Sequence, residues 1–251
     1  MTDTTPHTPM TSQPPLLILV PGHWLGAWAW DEVRVELAAV GIDAHAVTLP
    51  GMDPDDPHRA QRTLSEQAAA IVELIATKEG AHPERRAVLV AHSGANGPVS
   101  LVLDQHASLI ERVIWVDSGP LSSGTAFAPN LPAEVTELPL PAFGVLAEQA
   151  SLDGLSGAVL ARFRDRAVAE PGPVLREAVS LAQPARREVP TTLVCCSIPS
   201  AQVLELARAG HPMFAEVAEL SEVRVVDLPT GHWPMWSRPR DLADVIRAEI
   251  A

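Results

Sequence analysis

Ser93, Asp117 and His232 are the residues of this 251-residue chain whose types and settings suit nucleophilic catalysis. A serine hydroxyl is a weak nucleophile at neutral pH, so a base must take its proton during attack; an imidazole, with an ordinary pKa of about 6.5, suits that work. A carboxylate behind the imidazole orients the ring and stabilises its charged form. Ser93 follows the apolar run Arg86-Ala87-Val88-Leu89-Val90-Ala91-His92, and Asp117 follows Val113-Ile114-Trp115-Val116. His232 stands in Thr230-Gly231-His232-Trp233-Pro234, just after Val223-Arg224-Val225-Val226-Asp227.

The setting of Ser93 is that of a nucleophile elbow. A buried strand stops at a serine flanked by small residues, and the helix-like Pro98-Val99-Ser100-Leu101-Val102-Leu103 follows. Such a turn forces one side chain out in a strained conformation and sets a helix N-terminus beneath a developing oxyanion. Ala91 and Ala95 occupy the positions where the G-x-S-x-G pattern has glycine, and alanine still keeps the turn uncrowded. The structural alternative is a serine that caps an ordinary helix. His92 and His211 are weaker candidates for the base: His92 should point to the other side of the elbow, and His211, before Pro212, caps or packs a helix.

Short apolar runs alternate with helical patterns on either side of the elbow. Leu16 to Val20 reads as a strand, Ala27 to Val40 as a Trp-rich amphipathic segment, and Ile42 to Leu49 as the next strand. Thr63-Leu64-Ser65-Glu66 is a capping box that opens a helix to about Lys78. Strands from Thr191 to Cys196 and Val223 to Asp227, with helices from about Ala201 to Leu220 and Pro239 to Ile250, complete the pattern. Residues 124–190 break the rhythm with Pro-rich turns and helical patterns at Ala158 to Val168 and Val174 to Leu181, as expected of a cap over the sheet. Repeated strand-helix units predict a mostly parallel central sheet with helices on both faces and ligands at the strands' carboxyl ends. That edge is where Ser93, Asp117 and His232 would meet.

The order Ser, Asp, His is that of nucleophile, acid and base in α/β-hydrolases. The sequence resembles that fold family. Its first half is similar to the plant methylesterase and hydroxynitrile lyase branch, through Val20-Pro21-Gly22-His23-Trp24-Leu25-Gly26-Ala27-Trp28-Ala29-Trp30, Leu49-Pro50-Gly51-Met52 and the elbow; Thr230-Gly231-His232-Trp233-Pro234 continues the likeness. The resemblance implies an α/β-hydrolase fold with a small helical cap and a serine hydrolase acting on a small ester or related acyl substrate. Backbone N–H groups of His23 and Gly94 would form the oxyanion hole, and Trp24 and Trp233 an apolar pocket. Trp28 and Trp30 are expected in the core. Where the branch usually has His-Gly this chain has Pro21-Gly22 and moves a histidine to position 23, whose side chain faces either the pocket or solvent.

The resemblance also places an acid after the strand ending at Cys196, but Ser197-Ile198-Pro199-Ser200-Ala201-Gln202 holds no carboxylate. Asp117, one strand earlier, is expected to replace it; the alternative is that Asp117 caps the Ser118-Gly119 turn while Ser93 and His232 act as a dyad. Asp227 lies within the last strand, where its reach to His232 is poor. A cyanohydrin-cleaving lyase and a non-catalytic ligand-binding protein are the other readings. Against the lyase stands the chain's single lysine, Lys78, at the end of a helix.

Composition narrows the classes further. A net charge of −13 argues against a nucleic-acid partner, which needs clustered Lys and Arg. No run approaches the roughly 18 apolar residues of a membrane span. Met1 to Pro15, rich in Thr and Pro, read as a disordered tail and not a signal peptide, with residues 16–251 as one domain. Cys195 and Cys196 are adjacent in an apolar run, which suits buried thiols in a reducing cytoplasm. No metal or phosphate-binding pattern is present, so no cofactor is implied. The expected partner is a small-molecule substrate, with the oligomeric state left open, a homodimer included.

Overall fold

The apolar runs Leu16–Val20, Ala87–His92 and Thr191–Cys195 form strands because both of their faces can be covered. The computed structural model describes residues 15–79 and 85–250; of the expected tail, all but Pro15 lies outside the described residues. In chain order the elements are β1 (Leu16–Val20), α1 (Asp31–Ala39), β2 (Ala44–Ala46), α2 (Leu64–Glu79), β3 (Ala87–His92), α3 (Asn96–His106) and β4 (Ile110–Val116). The connection after β4 carries β5 (Glu137–Leu138), α4 (Phe143–Leu146), α5 (Gly157–Arg166), β6 (Glu170–Pro171) and α6 (Gly172–Arg176). β7 (Thr191–Cys195), α7 (Ser200–Arg208), β8 (Val223–Asp227), α8 (Pro234–Ser237) and α9 (Pro239–Glu249) complete the chain.

Six strands form one parallel sheet in the order β2-β1-β3-β4-β7-β8, while β5 and β6 pair antiparallel. Alternation along β1 shows why helices cover both faces: Leu16, Ile18 and Val20 pack with Ile71 and Ile75 of α2 and Val99 and Val102 of α3. Leu17 and Leu19 join Val33 and Leu37 of α1 and Leu242 and Ile246 of α9 on the opposite side. This is the expected α/β-hydrolase architecture. Among the described residues no helix is long and apolar enough to cross a membrane.

Three elements are shorter than their sequence patterns. β2 keeps only Ala44–Ala46 of the run Ile42 to Leu49, because it is an edge strand with β1 as its neighbour and the chain soon turns at Pro50-Gly51. The run from Ala201 to Leu220 breaks at Gly210, whose φ of 71° belongs to a left-handed turn, and resumes as a 3-10 segment over Ala215–Glu219. α6 ends at Arg176, and the next residue, Glu177, turns its carboxylate to α2. It accepts hydrogen bonds from Leu64 N–H at 3.0 Å and Ser65 Oγ at 3.1 Å. The capping box forms as expected, with Thr63 N–H to Glu66 at 2.8 Å and Glu66 N–H to Thr63 Oγ at 3.2 Å. The start of α2 is thereby tied to the connection between β4 and β7.

That connection returns to the sheet through a buried ionic cluster. Glu216, 5% exposed, accepts from Arg186 Nη2 at 3.0 Å and from Arg187 Nε at 2.9 Å and Nη2 at 3.2 Å. Asp104 of α3 accepts from Gln183 N–H at 2.7 Å and lies 3.5 Å from Arg186. Removing one partner of a buried pair leaves an uncompensated charge and typically costs about 3–5 kcal/mol, against about 1 kcal/mol or less for an exposed pair. Glu216→Ala should therefore lower the unfolding free energy in urea by several-fold more than Asp244→Ala, which breaks the half-exposed Arg247–Asp244 pair. Equal effects of the two substitutions would contradict this.

Candidate active site

Three residues other than glycine have a positive φ among the described residues: Trp24 at 64°, Ser93 at 51° and Asp117 at 47°. They follow β1, β3 and β4, adjacent strands of the sheet. An L-residue in the left-handed region costs roughly 1–2 kcal/mol, so each must be held by its surroundings. At the elbow, close approach does the holding: a Cβ on Gly22 would come within 2.8 Å of Ser93 Cβ and 2.9 Å of the His92 carbonyl oxygen. Ala91 and Ala95 are fully buried, which a small side chain allows. Ser118 Oγ donates to the Ser93 carbonyl at 2.8 Å and braces the turn from β4.

His232 Nε2 lies 2.7 Å from Ser93 Oγ, and its Nδ1 lies 2.6 Å from Asp117 Oδ2. The backbone of His232 is held as well, its N–H donating to the Ser151 carbonyl at 2.8 Å. Its carbonyl accepts from His92 Nε2 at 2.8 Å. His92 is buried, and its ring packs against that of His232 at 4.9 Å between centroids. His211 sits after α7, exposed, its Nδ1 accepting from Met213 N–H at 3.3 Å.

Asp117 reaches from the end of β4 to the end of β7. Oδ1 accepts from Cys196 N–H at 3.1 Å and Ser197 N–H at 2.8 Å, and Oδ2 accepts from Ser197 Oγ at 2.6 Å in addition to facing His232. Burial alone would raise its carboxyl group, but the hydrogen bond and charge of His232, then the bonds from Ser197, outweigh it and hold the group below the ordinary carboxylate range. The carboxylate thus arrives at the segment Ser197 to Gln202 from the neighbouring strand. Asp227, by contrast, caps α7 through Ser200 N–H and Oγ, both at 2.7 Å.

Ser93 opens into a cavity of about 660 Å³ lined also by His23, Trp24, Gly94, Asp117, His232 and Trp233. Trp233 packs edge-on against the His232 ring at 4.8 Å between centroids. Trp24 is held on three atoms by the β4–β7 connection: its N–H donates to Glu170 Oε1 at 2.7 Å, its Nε1 to the Leu138 carbonyl at 3.1 Å, and its carbonyl accepts from Val168 N–H at 3.1 Å. His23 faces this cavity and packs against Phe127. Trp30 is core as expected, whereas Trp28 is half-buried and stacks on Trp236 at 5.5 Å. Burial pushes the Cys195 thiol up to about 12 and raises that of Cys196 too, so neither is a thiolate at neutral pH.

A sequence profile of the Alpha/beta hydrolase family matches residues 17–245. The chain belongs to the alpha/beta hydrolase family. Within the family it is 31% identical to Methylesterase 4 of Arabidopsis thaliana over 122 residues, which make up 47% of this chain and 43% of that protein. It is 28% identical to putative methylesterase 14, chloroplastic, of the same plant over 109 residues, or 43% of this chain and 30% of that one. The chain thus spans less than half the length of these curated relatives. A solved extracellular alpha/beta-hydrolase from a Paenibacillus species has a TM-score of 0.71 at 20% identity, over 93% of this chain and 98% of its own. Arabidopsis methylesterase MES16 gives 0.69 at 16% identity, over 93% and 98%. Likeness at this identity speaks to the alpha/beta hydrolase fold.

Sequence reading passed over Glu170, Ser118, Ser197 and Phe127, because each acts through a partner distant in sequence. Only Glu170, an acid beside a proline in an otherwise apolar stretch, carried a faint signal. His92 yields a pH prediction. Burial, and then the charge of His232, push its pKa from 6.5 down to about 3. Between those values the unfolded chain binds a proton that the folded chain does not, so stability present above pH 6.5 is lost as pH falls towards 3, by up to about 1.4 kcal/mol per pH unit. His92→Gln, which keeps an amide donor for the His232 carbonyl, should flatten the loss of unfolding free energy between pH 7 and 4. An unchanged slope would remove His92 as its source.

Proposed function

We propose that the chain is a serine hydrolase that cleaves a small, uncharged carboxylic ester through an acyl-enzyme intermediate. The observation that carries this reading is the continuous line Ser93 Oγ, His232, Asp117, with spacings of 2.7 and 2.6 Å. Ser93 Oγ attacks the ester carbonyl as its proton passes to His232 Nε2, and Asp117 stays ionised against the imidazolium. The N–H groups of His23 and Gly94 receive the oxyanion. Collapse of the tetrahedral intermediate breaks the ester C–O bond, and the alcohol leaves with the proton from His232. Water, deprotonated by His232, then attacks the acyl carbon and frees Ser93. The methylesterase relatives agree with ester chemistry.

The choice of an uncharged substrate follows from the cavity wall. No Lys or Arg is among its described lining residues. Its two carboxylates, Asp117 and Glu177, are both taken up by hydrogen bonds. A carboxylate on the substrate would be desolvated without a partner, whereas Leu121, Phe127, Val179, Ile198 and Trp233 suit an apolar group. We read the connection from β4 to β7, which supplies Phe127 and Val179, as the cap that selects the substrate. For a lyase no lysine lies on this wall; cyanide release from mandelonitrile without turnover of p-nitrophenyl acetate would favour that outcome over hydrolysis.

Two substitutions test the mechanism. Ser93→Ala should fold normally yet lose both p-nitrophenyl acetate turnover and covalent labelling by a fluorophosphonate; retained turnover defeats the reading. Asp117→Asn should lower kcat on the order of 10⁴-fold, because an amide stabilises the wrong imidazole tautomer. A loss below about tenfold would leave Ser93 and His232 as a dyad.

A further inference from the structure

His23 brings a second imidazole to the nucleophile elbow, with a carboxylate of its own. Glu170 is buried at 2% exposure on β6, and its Oε1 lies 3.3 Å from His23 Nδ1 while accepting the Trp24 N–H. A carboxylate only accepts, so it faces Nδ1–H, and in the neutral ring the lone pair falls on Nε2. That Nε2 has no hydrogen-bond partner among the described residues. The ring is fixed by Phe127, at 4.3 Å between centroids, and by Trp24, at 5.8 Å. Its Cδ2–Nε2 edge lies over Gly94 so closely that a Cβ on that residue would overlap it.

We propose that His23 is a specificity-determining residue whose Nε2 accepts a hydrogen bond from a hydroxyl on the carbon next to the scissile carbonyl, so that esters of 2-hydroxy acids are the favoured substrates. Gly94 follows the nucleophile directly. A side-chain atom set against it therefore lies beside an acyl carbon bonded to Ser93 Oγ, and the neighbouring carbon of the acyl group comes within its reach. The carboxylates of the wall are already bonded, and Nε2, set against the residue after the nucleophile, is an open acceptor next to the reaction centre. A substrate without the hydroxyl buries that acceptor unpaired, and a substrate with it does not.

The inference rests on the hydrolytic reading, and methyl mandelate compared with methyl phenylacetate tests the two separately. The wild-type protein should hydrolyse the hydroxy ester with a kcat/KM about tenfold higher, the scale of one neutral hydrogen bond. In His23→Phe, which keeps an aromatic ring against Phe127, the ratio should fall to about one. A wild-type ratio near one, or a ratio that survives the substitution, overturns the proposal while leaving hydrolysis intact. If neither ester turns over, p-nitrophenyl acetate turnover decides on hydrolysis separately, and quenching of tryptophan fluorescence in Ser93→Ala decides on the role of His23 by binding alone. Tighter binding of the hydroxy ester that disappears when His23→Phe is added sustains the role of His23, and equal binding overturns it.

Discussion

At the carboxyl edge of the sheet, the position of His232 depends on the carboxylate of Asp117. It takes the amides of Cys196 and Ser197, the hydroxyl of Ser197 and the ring of His232, so one side chain joins β4, β7 and the loop after β8. Burying such a charge is costly unless each lone pair is matched, and here both oxygens are. The same bonds that offset the desolvation aim Oδ2 at Nδ1 of His232. Structural stability and the orientation of the imidazole thus come from a single set of contacts.

The site concentrates strain that the rest of the fold absorbs. Trp24, Ser93 and Asp117 all hold left-handed backbone conformations, each following a strand of the buried half of the sheet. At roughly 1–2 kcal/mol apiece, these conformations persist because several partners fix each residue. Trp24 makes three hydrogen bonds to the connection between β4 and β7, Ser93 is wedged against Gly22, and Asp117 is bonded at both oxygens. Residues held at several points in this way favour a preorganised site over one assembled on binding.

Glu170 does for the first loop what Asp117 does for the last. By binding the Trp24 amide and facing His23, it ties the turn after β1 to a strand that lies more than a hundred residues on. The turn after β1 and the connection between β4 and β7 are therefore held together at one buried carboxylate.

The sequence alone determined the fold class and the candidate nucleophile and base, because those depend on local signals. Apolar runs of strand length alternate with capped helices, and an elbow or a Gly-His-Trp-Pro turn is written in consecutive residues. The same locality set its limits at Gly210, where a helical pattern ran on past a left-handed turn, and at Glu177, where a helical-looking residue serves to cap α2. The geometry of Asp117 was legible only as an inference by elimination; its placement 2.6 Å from His232 required the parallel pairing of β4 with β7. Nothing local distinguishes the two faces of His23. Its direction is decided by Glu170, Phe127 and Gly94, three residues brought together from separate parts of the chain. Tertiary structure alone decided it, since a side chain's orientation in a loop is set by what packs against it and not by its neighbours in sequence.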